Sequence, residues 1–318
     1  MKPKILITQN IANKGVLPTD HFSVVFLEKE FNQENLADFY LKNKNIYAII
    51  SFVTDKVTAE IISLLPDSLK VISNCAVGYN NIDIEACKRK NIIVTNTPGV
   101  LTNATADLTF ALLLSLSRRI IEGHKMILNN QFTGWKPDML LGAELSGKTL
   151  GIIGMGRIGK AVAKRAEAFN MNIIFNNRNY SANEQNCDYS FKPLNELFAQ
   201  SDFISIHVSL NEKSYHLITK KELSLMKKTA YIINTSRGEC IKEADLVNAL
   251  KNAEIAGVAL DVFEFEPKVT EELKYFPNVV LTPHIGSATT ETRAKMFEIA
   301  CQNIINIYEG TEPVSRVV

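Results

Sequence analysis

Thr149-Leu150-Gly151-Ile152-Ile153-Gly154-Met155-Gly156-Arg157-Ile158-Gly159 joins a strand, a glycine turn and the start of a helix within one short stretch. Residues 150–153 are a compact apolar run, the mark of a strand buried on both faces. Gly154, Gly156 and Gly159 follow with the spacing G-x-G-x-x-G, and residues 160–166 continue with helical periodicity. The three glycines serve separate ends, namely a tight turn, room for a pyrophosphate against bare backbone, and close packing of helix on strand. The helix N-terminus offers free N–H groups and partial positive charge to the same anion. Three glycines alone would be weak, but a strand before and a helix after predict a dinucleotide-binding βαβ unit. Met155, Arg157 and Ile158 fill the loop and belong to the candidate cofactor site.

Such units usually carry an acidic residue about 20 positions on, which binds the ribose 2′-hydroxyl. Here residues 172–175 form the second strand and lead into Asn176-Asn177-Arg178-Asn179, with no carboxylate anywhere between Ala168 and Asn183. Arg178 would meet a 2′-phosphate rather than repel it, so NADP(H) is expected over NAD(H). The plainer alternative is a solvated arginine on a loop.

At 318 residues the chain exceeds what one hydrophobic core usually supports, and two domains are expected. A hydrophobic content of 46% with 22% charged residues is that of an ordinary soluble globular protein. The net charge of +1 provides no general attraction to nucleic acid or an anionic membrane. Five scattered cysteines, Cys75, Cys87, Cys187, Cys240 and Cys301, show no C-x-x-C, and no histidine pair has metal spacing. They read as reduced thiols, mostly in the core of a cytoplasmic protein, and no metal is expected. The apolar run at residues 5–7 is too short for a signal peptide, and residues 110–116 fall far short of a membrane span.

Over the first hundred residues, strand signals at 4–8, 23–27, 47–52, 71–76 and 92–95 alternate with helical ones at 35–41, 58–65 and 83–90. Alternation of this kind means a parallel sheet covered by helices. No glycine-rich turn follows the first strand, so this unit is not expected to hold the nucleotide. At Ala76-Val77-Gly78-Tyr79-Asn80-Asn81 a strand end runs into a polar turn. The N–H groups of Val77 and Gly78 could hold a small anion there, or Gly78 could serve the turn alone. Thr97-Pro98-Gly99-Val100 marks a boundary. Residues 102–121 read as one long apolar helix capped by Thr102 or Asn103, and residues 123–147 as a connection too long for an ordinary loop. From Thr149 a second alternation begins, with further strands at 172–175, 203–208, 231–234, 256–262 and 279–282. A final amphipathic helix, residues 289–308, is expected to return to the first domain.

Three strand ends in the second unit carry polar residues that apolar packing does not require. They are Thr235-Ser236-Arg237-Gly238, Asp261-Val262-Phe263-Glu264-Phe265-Glu266-Pro267 and Pro283-His284-Ile285-Gly286-Ser287. In a parallel sheet all three open on the edge that holds Gly154. Reducing a 2-oxo acid needs a hydride, a proton and a counter-charge for the carboxylate. A nicotinamide supplies the first. An imidazole, with an unperturbed pKa of ~6.5, can exchange the second near neutrality. An arginine fork matches a carboxylate in bidentate fashion. Taken singly, His284 reads equally as a turn histidine, Glu266 as a solvated acid and Arg237 as a surface ion-pair residue. Their joint position beside the glycine loop makes them the catalytic candidates. His207 lies at a strand end on the expected adenine side, where a structural role is favoured; His21, His124 and His216 show no constellation.

These stretches, together with residues 76–83, 94–102 and 147–159, resemble the D-isomer-specific 2-hydroxyacid dehydrogenase family over nearly the whole chain, closest to its glyoxylate/hydroxypyruvate reductase branch. The resemblance implies an α/β fold of two doubly wound parallel-sheet domains. In it a Rossmann-type nucleotide domain, residues 101–284, is inserted into a flavodoxin-like substrate domain, residues 1–100 completed by the helix in 285–318. It implies that His284 is the general acid/base, Glu266 its carboxylate partner and Arg237 the ligand of the substrate carboxylate and carbonyl. Val77 and Gly78 would donate backbone N–H groups to that carboxylate. The cofactor would be lined by Thr105, Asn176, Asn177, Arg178, Thr235, Ser236, Asp261, His284 and Gly286 as well as the glycine loop. A homodimer through the nucleotide domains is implied too, with Trp135 reaching towards the partner.

Ser209 departs from the family, which often has proline there, and Asp107 stands where the phosphoglycerate branch tends to have glutamate. The expectation is an NADP(H)-preferring reductase of a small 2-oxo acid, glyoxylate or hydroxypyruvate, yielding the D-2-hydroxy acid. A D-3-phosphoglycerate or D-lactate dehydrogenase is the alternative within the enzyme class. A dinucleotide-sensing scaffold like the family's corepressor relatives is the alternative outside it.

Overall fold

The computed structural model describes residues 2–10, 18, 20–178 and 189–318. Cys187 and Asn179 lie outside the described residues. The chain divides into two units, Met1–Leu101 with Ala288–Val318, and Thr102–Ser287.

The first unit begins with β1 (Lys4–Ile7), β2 (Ser23–Phe26), α1 (Gln33–Lys42), β3 (Ile46–Ser51), α2 (Ala59–Leu64), β4 (Val71–Asn74), α3 (Ile84–Arg89) and β5 (Ile93–Thr95). Its five-stranded sheet has the order β2-β1-β3-β4-β5 with every pairing parallel, the flavodoxin-like order. Local chemistry starts the helices. Asn32, Thr58 and Asp83 each accept a backbone N–H from the first turn of α1, α2 and α3, meeting donors that the helix cannot satisfy itself. Apolar residues of β1 bury against both faces: Leu6 with the cluster around α1 to α3, Ile5 and Ile7 with the other.

The second unit opens with α4 (Thr102–Ser117) and α5 (Ile120–Leu128). A single helix over 102–121 is therefore corrected to two. Arg119 adopts the left-handed conformation (φ 53°) between them, and its guanidinium forks onto Glu122 at 2.9 and 2.7 Å. The elements β6 (Thr149–Ile153), α6 (Arg157–Ala168), β7 (Asn172–Asn176), β8 (Ser190–Phe191), α7 (Leu194–Gln200) and β9 (Phe203–Ile206) follow. After them come α8 (Lys220–Leu223), β10 (Tyr231–Asn234), α9 (Glu243–Lys251), β11 (Gly257–Leu260) and β12 (Val279–Leu281). The sheet is seven-stranded and parallel throughout, one strand more than the sequence predicts, because β8 has only two residues. Its order β8-β7-β6-β9-β10-β11-β12 reverses direction between β6 and β9, the switch point at which Rossmann sheets bind nucleotides.

Buried Phe110 and Leu113 of α4 pack with Val162 and Ala166 of α6 beneath the sheet. The Arg165–Asp107 ion pair that also joins the two helices spans 2.7 Å, but Asp107 is largely exposed. Such pairs contribute about 0–1 kcal/mol, so apolar burial carries the packing. Finally α10 (Thr290–Tyr308), capped by Thr289, lays Phe297, Ala300 and Ile304 into the apolar cluster of the first unit.

Candidate active site

Three loops at the carboxyl ends of β10, β11 and β12 build the candidate site. His284 follows β12 with φ 51°, a left-handed backbone uncommon outside glycine. Its N–H donates to the carbonyls of Asp261 (2.9 Å) and Thr282 (3.1 Å), which hold this conformation. Asp261, fully buried at the end of β11, accepts the Thr282 hydroxyl at 2.6 Å and the N–H groups of Ile285 and Gly286, both at 2.8 Å. Burial raises the Asp261 carboxyl despite these donors and the nearby imidazole. This carboxylate thus ties the His284 loop to β11. Thr105 of α4 completes the corner by donating to the Gly286 carbonyl at 3.1 Å.

The His284 ring presents Nδ1 to Glu266 Oε2 at 2.9 Å, and the other Glu266 oxygen accepts the Phe263 N–H at 3.0 Å. Burial pushes the Glu266 carboxyl up, but the hydrogen bond and charge of His284, the Phe263 N–H and the Arg237 field outweigh it. Its pKa ends below the usual carboxylate range. An ionised Glu266 accepts from Nδ1–H, which leaves Nε2 as the ring atom free to exchange a proton. Both side chains remain about a third open to solvent (30% and 34%).

Arg237 lies after β10, in a turn organised by buried Asn234. The Asn234 Nδ2 donates to the Arg237 carbonyl at 2.9 Å, and its Oδ1 accepts the Ser236 N–H and hydroxyl. Thr235 is bonded through its hydroxyl to Thr109 of α4 at 2.9 Å. Burial draws the Arg237 pKa down against the raising fields of Glu239 and Glu266. Gly238 decides how near these loops come. A Cβ there would lie 1.9 Å from the Phe263 carbonyl carbon, so only glycine lets the Arg237 turn rest on the segment that leads to Glu266. Arg237, Glu266 and His284 are thereby brought together.

The glycine loop also fits a dinucleotide. Gly154 has φ 99°, and a Cβ on it would press the His207 carbonyl at 2.7 Å; one on Gly159 would meet the Gly154 carbonyl at 2.2 Å. Gly156 differs, since a Cβ there would meet nothing within 4 Å. It is the exposed N-cap of α6 and makes no side-chain cap, so the first-turn N–H groups face an open cradle suited to phosphate oxygens. At the end of β7, the side chain of Asn176 is engaged with the Lys192 carbonyl at 2.8 Å, Asn177 is half-buried and Arg178 is exposed.

In the first unit, the loop after β4 holds Val77 and Gly78, both half-buried. The Ala76 carbonyl accepts the Thr97 N–H at 2.9 Å, and the Gly78 carbonyl accepts Asn74 Nδ2 at 2.9 Å. Among the described residues, neither the Val77 nor the Gly78 N–H has an acceptor.

The family model for the D-isomer specific 2-hydroxyacid dehydrogenase NAD-binding domain matches residues 110–286. The chain belongs to this family. It is an NAD(P)-dependent oxidoreductase by that membership and takes a nicotinamide cofactor. A glyoxylate reductase of Thermococcus litoralis is 46% identical over all of this chain and 97% of its own length. The crystal structure of a glyoxylate reductase from Paecilomyes thermophila superposes with TM-score 0.90 at 33% identity, covering 99% of this chain and 98% of that one. An NADPH-dependent glyoxylate/hydroxypyruvate reductase of Sinorhizobium meliloti, solved with NADP and malonate, gives TM-score 0.88 at 31% identity over 100% and 97% of the two chains.

Sequence inspection of this dehydrogenase misses a second histidine–carboxylate pair. His216 Nε2 lies 2.7 Å from Glu264 Oε1, which corrects the expectation that His216 stands alone. Glu264 also accepts the Glu243 N–H at 2.8 Å, while the buried Glu243 carboxylate accepts the Glu264 N–H at 2.9 Å and the Thr270 hydroxyl. The reciprocal bonds fasten the segment before Glu266 to the start of α9. His207 is half-buried, bonds Ser205 Oγ at 2.7 Å and has a pKa pushed down by desolvation to about 3, so it stays neutral. Among the described residues no group of acidic, histidine and cysteine side chains could hold a metal, and no helix is long and apolar enough to cross a membrane.

The glycines separate binding from folding. Gly156→Ala should raise the KM for the nicotinamide cofactor by roughly tenfold or more, since its methyl fills the cradle, with the Tm almost unchanged. Gly159→Ala should instead lower the Tm, because overpacking of that contact costs about 1–3 kcal/mol. Equal Tm losses and an unmoved cofactor KM would show that position 156 serves the turn alone.

Proposed function

We propose that this dehydrogenase reduces a small 2-oxo acid, glyoxylate or hydroxypyruvate, to the D-2-hydroxy acid, and prefers NADPH. The observation that carries the reading is the His284 Nδ1–Glu266 contact of 2.9 Å, which leaves Nε2 free, with Arg237 acting on the same Glu266 carboxylate. The names of the Thermococcus litoralis and Sinorhizobium meliloti relatives support the substrate class.

When bound, the reduced nicotinamide supplies the hydride that reaches the carbonyl carbon. His284 Nε2 gives a proton to the carbonyl oxygen and takes one back in the reverse direction. Glu266 orients the ring and stabilises the imidazolium. Arg237 pairs its fork with the substrate carboxylate and polarises the carbonyl. The Val77 and Gly78 N–H groups donate to the carboxylate, which makes the first unit the substrate domain and the second the nucleotide domain. The glycine loop, from Gly154 to Gly159, cradles the pyrophosphate. Thr105, Thr235, Ser236, Asp261 and Gly286 border the nicotinamide end.

Preference for NADPH rests on the end of β7, where Asn176, Asn177 and exposed Arg178 offer a cation and no carboxylate to the ribose. The Sinorhizobium meliloti reductase was solved with NADP. The buried, unpaired thiols of Cys75, Cys87, Cys240 and Cys301 suit a reducing compartment, the cytoplasm.

A second copy of the chain is the proposed partner. In the second unit α5 has no buried residue, and Ile127 (56% exposed), Leu128 (66%) and Trp135 (80%) are uncovered, as are Ile120, Phe132 and Leu141. So many exposed apolar side chains within one stretch of chain fit an interaction site, and residues 120–141 are the proposed homodimer contact.

Steady-state oxidation of NADPH with glyoxylate and hydroxypyruvate tests the main reading. His284→Ala should depress kcat by about 10²- to 10⁴-fold, the loss usual for a positioned acid/base. Glu266→Gln should also lower kcat, because the ring loses the carboxylate that orients it. No turnover across a panel of 2-oxo acids would favour a dinucleotide-sensing scaffold. For the cofactor, Arg178→Ala should raise the KM for NADPH by roughly tenfold while leaving that for NADH nearly constant, as expected for a lost phosphate contact. For the dimer, light scattering should give twice the 35.5 kDa chain mass, and Leu128→Glu with Ile127→Asp should shift it towards one.

A further inference from the structure

Asn96 follows β5 and is buried between three partners. Its Nδ2 donates to the Val77 carbonyl at 2.8 Å, its own carbonyl accepts Asn303 Nδ2 at 3.2 Å, and its Oδ1 accepts the Ser315 hydroxyl. Asn303 belongs to α10, has no exposed surface, and accepts the Ser315 N–H at 3.2 Å. The end of the chain lies antiparallel beside β5. Val317 N–H donates to the Val94 carbonyl at 2.8 Å, Val94 N–H to the Val318 carbonyl at 3.1 Å, and Thr95 bridges to Arg316. The last helix therefore holds the backbone of Asn96, the last segment holds its amide side chain, and that side chain grips the loop after β4.

A trans peptide points its C=O and the following N–H in opposite directions. The Ala76 carbonyl, held by the Thr97 N–H, shares its peptide with the Val77 N–H. The Val77 carbonyl, held by Asn96, shares its peptide with the Gly78 N–H. Residues 96 and 97 thus pull two successive carbonyls towards themselves and turn two successive N–H groups away. Successive N–H groups presented together form an anion-binding concavity.

We propose that Ser315, acting through Asn96 and Asn303, is a positioning residue that sets the Val77 and Gly78 N–H groups for the substrate carboxylate, so that the segment 315–318 is a strap of the substrate site. The inference rests on the proposed role of those two N–H groups. Without the Ser315 hydroxyl, Asn96 Oδ1 becomes a buried acceptor lacking a partner, and the side chain is free to seek another. Its hold on the Val77 carbonyl weakens, and the pair of N–H groups loses its preorganisation for the anion.

The test uses the full-length holoenzyme. Ser315→Ala should raise the KM for glyoxylate by about five- to tenfold, the scale of one lost hydrogen bond, with kcat and the NADPH KM nearly constant. Ser315→Thr, which keeps the hydroxyl, should restore the parent value. In parallel, selectively ¹⁵N-labelled Val77 and Gly78 amides are followed while oxalate, a non-reducible dicarboxylate, is added to the NADP-loaded enzyme. Both amides should shift in the parent, and Ser315→Ala should need a correspondingly higher oxalate concentration. Parent amides that shift while Ser315→Ala binds oxalate and glyoxylate as the parent does would overturn the strap alone. Parent amides that stay still under saturating oxalate would overturn the carboxylate role of Val77 and Gly78, and the strap with it. A lower Tm with kcat reduced and KM unmoved would assign Ser315 to general stability and also reject the proposal.

Discussion

The close approach of two loops at Gly238 is the constraint on which the candidate site depends. Parallel strands β10 and β11 leave the sheet side by side, and their continuations would normally be kept apart by side chains. With no Cβ at Gly238, the backbone after Arg237 rests directly on Phe263 and Glu264. That contact puts Arg237 within the field of Glu266, and Glu266 in turn bonds His284. A guanidinium, a carboxylate and an imidazole from three strand ends then form one electrostatic unit. The consequence is visible in Glu266, whose carboxyl is held below its ordinary range although burial alone would raise it.

Two histidine–glutamate pairs share the segment after β11, and their surroundings separate their roles. Glu264 is almost wholly buried, and its oxygens are taken by His216 and by the Glu243 N–H. Glu266 carries the same two kinds of bond, to His284 and to the Phe263 N–H, but about a third of its side chain is open against 8% of Glu264. The more buried pair, cross-linked to Glu243 of α9, fixes the backbone two residues from Glu266. The more open pair is the one proposed for proton exchange. An imidazole–carboxylate contact is therefore informative only when the burial of both groups is weighed.

The α/β class and the nucleotide-binding unit were legible because their signals are local. Residues 150–153 and the three glycines after them announce a buried strand, a turn and a helix without reference to the rest of the chain. Arg237, Glu266 and His284 stood out because polar residues at strand ends break the apolar pattern. The Glu243–Glu264 exchange was invisible, since its members lie 21 residues apart and each resembles an ordinary loop acid. The break between α4 and α5 was hidden for the opposite reason. Apolar periodicity continues through Ile120 and Ile121, while the interruption lies in the φ of Arg119, an arginine that no propensity marks as a turn residue. β8, with two residues, is too short to carry any alternation.

The asparagines at strand ends point to a common way of shaping irregular loops in both units. A strand that stops leaves carbonyl and N–H groups that must be paired if buried. Asn234 answers the turn after β10 with its own amide, donating to the Arg237 carbonyl and accepting from Ser236. Asn74 does the same after β4, donating to the Gly78 carbonyl while its oxygen takes the Ser51 hydroxyl. A side-chain amide carries one donor and one acceptor face, as a peptide does, so it substitutes for the neighbouring strand that is no longer there. Unlike a strand, it pairs chosen groups and leaves their neighbours free. That selectivity lets a parallel sheet end in loops that are well ordered and still offer unpaired donors, the condition for binding a small anion through backbone alone.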